Sequence, residues 1–484
     1  MDLILQPFIR DLKILASQGI TMQIDGREHT YRGALIAFLA DNLASHMLGG
    51  FKESFSFALR ICRTCMVTRD LYKCASNIAH IPQRSMSLHK EQCKLLSSPL
   101  GDHYSKTYGI NRQSALLDIP HFSIFNGGLP HDVMHDVLEG VVVRELSLLL
   151  KHCISTKYLT LDEYNSRLLN FDYGYSESDK PAPVLRSSKF LEMETKELKL
   201  TASQSLLLVR IFPLLLGDRV PDDDEFWQVY LILCTIVDVL MCPWSSSDMC
   251  GYLAVLIQEH HASFIKVYTK EKITPKFHFL HHYPRQICMI GPMIRSWTMR
   301  HEAKLHFFKR VARLGNFKNI AFSLANRHQR LLCWELSTGN LLENPIECSP
   351  GQSLTELINE SLPVKASIQL LFPNVSDHTM VSRPSWVKRN GSLIKKGAYL
   401  ITGSDGLHPV FGKVEELLVL SDALVLLVHT VKTLYFDDHY HAYVVTVTAE
   451  QSYLLFDSLE SYAVLHAHQR DGLLYIYLKN FFEP

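Results

Sequence analysis

An α+β fold is the class this sequence predicts, on two observations. Residues 1–340 carry apolar positions at helical spacing in one run after another, whereas residues 378–484 switch to short runs of β-forming residues with turns between them. The composition adds a third. With 484 residues, 47% hydrophobic and 20% charged, the chain has material for roughly two to four domains with a real core. The 49 basic and 49 acidic side chains cancel, so a polyanionic partner would need a local basic patch. The 24 histidines suit metal or proton chemistry. The opening residues read as a short amphipathic run and not as a basic and apolar leader. The most apolar stretch, residues 226–244, includes Gln228 and Asp238, which favours a buried helix over a membrane span. The 11 cysteines have no framework spacing and read as reduced thiols, with room for one zinc site.

Residues 1–50 open with Leu3, Ile4, Phe8, Leu12, Ile14 and Leu15 at helical spacing, stopped by Gly19. Residues 20–24 alternate like a strand, and Asp25-Gly26 signals a hairpin turn. Residues 34–40 form a wholly apolar run of strand length that ends at Asp41. Taken alone, Asp41 reads as the N-cap of the helix that follows. A carboxylate at the end of a buried strand is also the arrangement that holds metals rigidly in two-metal nucleases.

Residues 51–100 hold Cys62-Arg-Thr-Cys65 and then His89-Lys-Glu-Gln-Cys93. Two close pairs of soft ligands predict a tetrahedral zinc knuckle through Cys62, Cys65, His89 and Cys93, with Cys74 and His80 as spare candidates. Residues 101–274 read as largely helical. Within them Val133, Met134, Val137, Leu138 and Val141 form an apolar stripe, and Asp132, His135 and Glu139 fall on the other face. Residues 221–225 are an acidic helix start, and residues 226–241, apolar all round, predict a central helix.

Residues 275–340 begin with the His-rich PKFHFLHHYPR, break at Gly291-Pro292 and resume as a helix from about Ser296. That helix sets Glu302 among Arg300, Lys304, Lys309, Arg310 and Arg313, a carboxylate in a basic setting suited to polyanion chemistry. Residues 341–377 are Pro-punctuated and read as a linker with one helix near 353–360. In residues 378–484, strands are expected at 385–388, 398–402, 411–420, 423–431, 442–448 and 473–478, with an Asn390-Gly391 turn. They predict a small β-barrel-like domain.

Several of these blocks resemble one family. WTMRHEAKLHFFKR resembles the third-acid block of DDE transposases of the CACTA (EnSpm) type, ADNLASHMLGGF resembles their second-aspartate block, and PHDVMHDVLEG resembles a D-x-x-H signature between the two. The likeness is greatest to animal transposase-derived proteins of that group and runs over nearly the whole chain, including the CxxC and the β-rich tail. It implies a partial ribonuclease-H-like core with a large helical insertion. It also implies Asp41 and Glu302 as ligands of catalytic Mg or Mn, Asp132 and His135 as supporting catalytic residues, DNA as partner and the nucleus as location. The first acid should lie on a strand upstream of Asp41. Asp11 and Asp25 follow no apolar strand run, so a transposase-derived protein with impaired catalysis and retained DNA binding is expected. Two other readings stand beside it: an active nuclease completed by sequence upstream, and a zinc-containing scaffold with protein partners or self-association.

Overall fold

Turn residues set the β-hairpins. Asp25-Gly26, Asn390-Gly391 and Asp471-Gly472 all take the left-handed angles a two-residue hairpin turn needs, with φ of 50° and 74° at the first. They appear in a computed structural model that describes residues 2–54, 57–74, 77–177, 181–185, 190, 197–314, 318–339, 345–350 and 353–482. The first turn joins β1 (Ile20–Ile24) to β2 (Arg27–Tyr31), an antiparallel pair exposed along its whole length.

The chain divides into two compact units. The first comprises residues 1–161, 185–209 and 219–303, and the second comprises residues 162–184, 210–218 and 304–484. At the centre of the first, the Glu225–Leu240 helix buries Trp227, Tyr230, Leu233, Ile236 and Val237, as its all-round apolar sequence predicts. Each such side chain contributes about 1.5–3 kcal/mol of burial. Asp224 caps the helix by accepting from Trp227 N at 2.9 Å, so the acidic run is a cap as expected. The Val142–Ser155 and Ser247–Tyr268 helices pack against it. Among the described residues no helix is long and apolar enough to cross a membrane.

Residues 34–40, expected as a strand, belong to no ladder. Phe38 N donates to Gly128 O at 2.8 Å, and Asp41 then caps the Asn42–Gly49 helix. The strands described in residues 1–50 are β1 and β2, and Asp41 stands at a helix start, not at the end of a strand. Leu35 and Phe38 of the run pack against the neighbouring core along an irregular segment, whereas Ile36 is exposed.

In the second unit the sheet order is β12-β13-β11-β10-β9-β5-β4, with β8 also paired to β9. In chain order these are β4 (Ser353–Glu356), β5 (Met380–Arg383), β8 (Tyr399–Ser404), β9 (Pro409–Leu420), β10 (Ala423–Asp437), β11 (Ala442–Leu455), β12 (His468–Arg470) and β13 (Leu473–Ile476). Every ladder is antiparallel, and among the described residues none joins β12 back to β4, so the expected barrel is here a sheet with two ends. A separate sheet joins β3 (Glu347–Cys348), β6 (Trp386–Arg389) and β7 (Ser392–Lys395). β10 and β11 run to 15 and 14 residues, longer than the expected 423–431 and 442–448, because residues 432–437 continue to pair with 442–446 and residues 425–429 pair with 451–455. The helix expected near 353–360 is instead β4 followed by a single tight turn, since Leu354 and Thr355 pair with Ser382 and Val381. The helix comes later, at Leu362–Leu371, with Pro363 in its first turn, where a missing N–H costs nothing.

Candidate metal centre and carboxylate cluster

The Cys62–Cys65 loop is held open by its own backbone. Thr64 N donates to Cys62 Sγ at 3.3 Å, Arg84 N donates to Thr64 O at 2.9 Å, and Cys65 bridges to Gln83. Both sulfurs are thereby turned to one side. On the other side, the Pro275–Leu280 helix runs almost directly into the Tyr283–Ile290 helix. His278 and His282, one helical turn apart, share a face there.

The four side chains meet in the first unit. Cys62 Sγ lies 3.3 Å from His282 Nε2, Cys65 Sγ lies 3.2 Å from His278 Nε2, and the two imidazole nitrogens are 3.3 Å apart. All four ligand atoms fall within 4.8 Å of one another, and all four residues are buried. Zinc–sulfur bonds of about 2.3 Å and zinc–nitrogen bonds of about 2.05 Å at tetrahedral angles imply S···N of about 3.5 Å and N···N of about 3.3 Å. The three short edges are already close to those values, and the cluster could bind a metal such as zinc. Protonation is unequal across the cluster: burial and the neighbouring Cys62 push the Cys65 thiol far up, so a metal would have to displace its proton. Burial pushes the Cys62 thiol up, but hydrogen bonding to Cys65 and the neighbouring histidines outweigh it and hold it well below its usual value. Burial holds His278 below its usual value, and a neutral imidazole is the form that ligates.

Sequence reasoning found half of this set. Cys62 and Cys65 are in it; His89 and Cys93 are not. Those two lie 3.5 Å apart on the Met86–Leu95 helix, with the His89 ring against Phe51 and Phe125. Burial raises the Cys93 thiol and lowers His89 to about 4, so the pair packs as neutral core. Cys74 and His80 are exposed and outside the cluster. The overlooked signal was H-x-x-x-H at helical spacing in the His-rich entry, which pairs with CxxC only after folding.

A second cluster lies on the D-x-x-H segment. Asp132 precedes a wide, π-type helical turn over Met134–Val141, with Glu139 off helical geometry at φ −98° and ψ 17°. Such turns often mark functional sites. The Asp132 carboxylate accepts from His135 Nδ1 at 2.6 Å, Thr298 Oγ1 at 2.6 Å and Thr298 N at 2.8 Å. Burial pushes this carboxyl up, but those donors outweigh it and hold it below the usual range. The same bond to Asp132 is the main reason His135 is raised, with the charges of Glu139 and Glu302 adding to it. The other ring nitrogen, His135 Nε2, lies 3.4 Å from Glu302 Oε1. Three of the four expected catalytic residues therefore meet. Among the described residues no hydrogen bond or ion pair joins Asp41 to them; its carboxylate accepts from Ala44 N at 2.6 Å. Its neighbour Asn42 makes the long-range contact instead, donating to Asp136.

The two clusters share a buried scaffold. Arg63, between the two cysteines, donates to Leu129 O at 3.1 Å, Pro130 O at 2.6 Å and Asn42 Oδ1 at 2.7 Å. Gln286, four residues past His282, grips the His131 backbone from both sides, accepting its N–H at 2.7 Å and donating to its C=O at 2.8 Å. Both grips fall immediately before Asp132. Burial pushes the enclosed Asp136 carboxyl up to about 6 against the pull of Arg63 and Asn42.

What fold and site define is a mixed α/β protein with antiparallel sheets and a buried Cys2His2 cluster able to take a metal such as zinc. Comparison with protein-family models finds no match, and comparison with curated proteins finds none.

Proposed function

We propose that this chain is a transposase-derived protein that binds DNA, uses its Cys2His2 centre as a structural zinc site, and does not cut DNA efficiently. The observation that carries this reading is the meeting of Asp132, His135 and Glu302, drawn from two blocks that resemble CACTA-type transposases. Zinc would be held by Cys62, Cys65, His278 and His282 in a closed shell with no position left for substrate. Its role is to tie the 62–65 loop to the 275–290 helices beneath the D-x-x-H segment.

The impairment follows from where the carboxylates are spent. Two-metal phosphodiester cleavage needs several carboxylates free to neutralise and place two divalent ions. Asp132 is engaged by His135 and Thr298, and Asp41 caps a helix. Glu302 remains open, and one carboxylate holds a pair of ions poorly. Incubating the protein with supercoiled plasmid in magnesium or manganese should give no nicking, and Glu302→Gln should behave identically. Nicking by the parent that disappears in Glu302→Gln would overturn the reading and favour an active nuclease.

A further inference from the structure

We infer that the two helices Met299–Arg313 and Ile320–Ser337 form the surface that docks the phosphate backbone of double-stranded DNA. The inference rests on the DNA-binding reading above and gives it a place.

The whole chain is charge-balanced, with 49 basic and 49 acidic side chains, yet residues 299–337 carry eight lysines and arginines against two glutamates, Glu302 and Glu335. Such a concentration is the local basic patch that a neutral protein needs to hold a polyanion. Neither helix contains a buried residue. Phe307 and Phe308 sit against His328, at ring distances of 6.1 and 5.3 Å, and bring the two helices together. Lys309, Arg310 and Arg313 are exposed, as are Arg327 and Arg330 on the second helix. Among the described residues no ion pair engages these five, so their charge is available to a partner. Elsewhere the cations are more often matched: Arg383, Arg389 and Arg167 each lie within 2.7 Å of a carboxylate.

Charge and length favour duplex DNA over a second copy of the chain. Two such surfaces face to face would set like charges against each other. From Arg300 to Arg313 the first helix spans about 20 Å at a rise of ~1.5 Å per residue. Duplex DNA presents about one phosphate per 1.7 Å over that length. The exposed Phe322 and Trp334 add aromatic area beside the cations, and single strands stack on such rings. The test therefore includes both forms.

Fluorescence anisotropy with a 30-base-pair duplex and with the matching single strand, over a salt series, would decide. The variant carries Lys309→Gln, Arg310→Gln, Arg313→Gln, Arg327→Gln and Arg330→Gln. All five positions are exposed, so circular dichroism and zinc content should not change. Each lost phosphate contact lowers the slope of log K against log salt by about 0.9. The expected result is duplex binding by the parent, a slope smaller by up to about 4.5 for the five lost contacts, and affinity weakened at least ~30-fold at 150 mM salt. If the variant binds as the parent does, this surface is wrong while the DNA-binding reading stands. If the parent binds no DNA even at low salt, that reading falls and takes this one with it. Tighter binding of the single strand, or a dimer in light scattering that the five changes dissolve, would also overturn the assignment.

Discussion

The metal centre and the Asp132 cluster are assembled alike and finished differently. Each joins a short motif from the first half of the chain to residues near 300: Cys62 and Cys65 to His278 and His282, Asp132 and His135 to Thr298 and Glu302. The first is closed, with every ligand buried. The second is open on one side, with the His135 side chain 23% and the Glu302 side chain 48% exposed. A closed four-ligand shell is what structural metal sites look like, whereas chemistry needs an open position. The comparison assigns stability to one cluster and contact with solvent or ligand to the other.

The largest effect should follow from opening the closed site. Purified protein should contain about one zinc ion per chain, and Cys62→Ser or His282→Ala should abolish it. Structural zinc contributes roughly 10–16 kcal/mol to small fingers, and even a fraction of that would unfold the first unit. Metal analysis with thermal melts measures both; retention of zinc by His282→Ala would break the assignment. His89→Ala, by contrast, should keep the metal.

Next in size is the scaffold between the clusters. Arg63→Met should cost about 3–5 kcal/mol, because it leaves the Leu129 and Pro130 carbonyls and Asn42 Oδ1 without their buried donor and removes the cation near Asp136. Gln286→Ala should cost about 1–3 kcal/mol by freeing both polar groups of the His131 backbone. Denaturant titration checks both. A loss below ~0.5 kcal/mol for Arg63→Met would show that the clusters are not braced through it.

A pH series sharpens the contrast further. The folded Asp136 carboxyl titrates at about 6, above its ordinary value of 3.8. Its contribution to stability is therefore fully present below the unfolded value and is lost as pH rises through about 6. Between pH 5 and 8 the stability gap between the parent and Asp136→Asn should change by roughly 1–2 kcal/mol in favour of Asn. The His135–Asp132 pair behaves differently. Asp132 is lowered and His135 raised, so the pair contributes between their ordinary values, fading in acid as Asp132 protonates and in base as His135 loses its proton. The smallest effect belongs to Glu302→Gln, half-exposed and 3.4 Å from His135, which should shift stability by less than ~0.5 kcal/mol.

By itself, the sequence determined whatever depends on neighbours along the chain. The Asp25-Gly26 and Asn390-Gly391 turns, the all-round apolar 225–240 helix with its Asp224 cap, and the tail strands β6, β8, β9, β10, β11 and β13 were legible because turn geometry, helical period and capping act over two to four residues, whereas β5, β7 and β12 were not expected. The CxxC loop was legible for the same reason. Tertiary structure alone decided its partners. His278 and His282 lie more than 200 residues away, and His89 and Cys93 offer the same chemistry nearer by, so only packing could choose between them. Packing also decided that residues 34–40 lie along an irregular segment and not in a sheet, that Asp41 caps while Asn42 reaches Asp136, and that the sheet ends at β12 and β4. An apolar run states that it will be buried but not against what, and a carboxylate does not state which donor will reach it first.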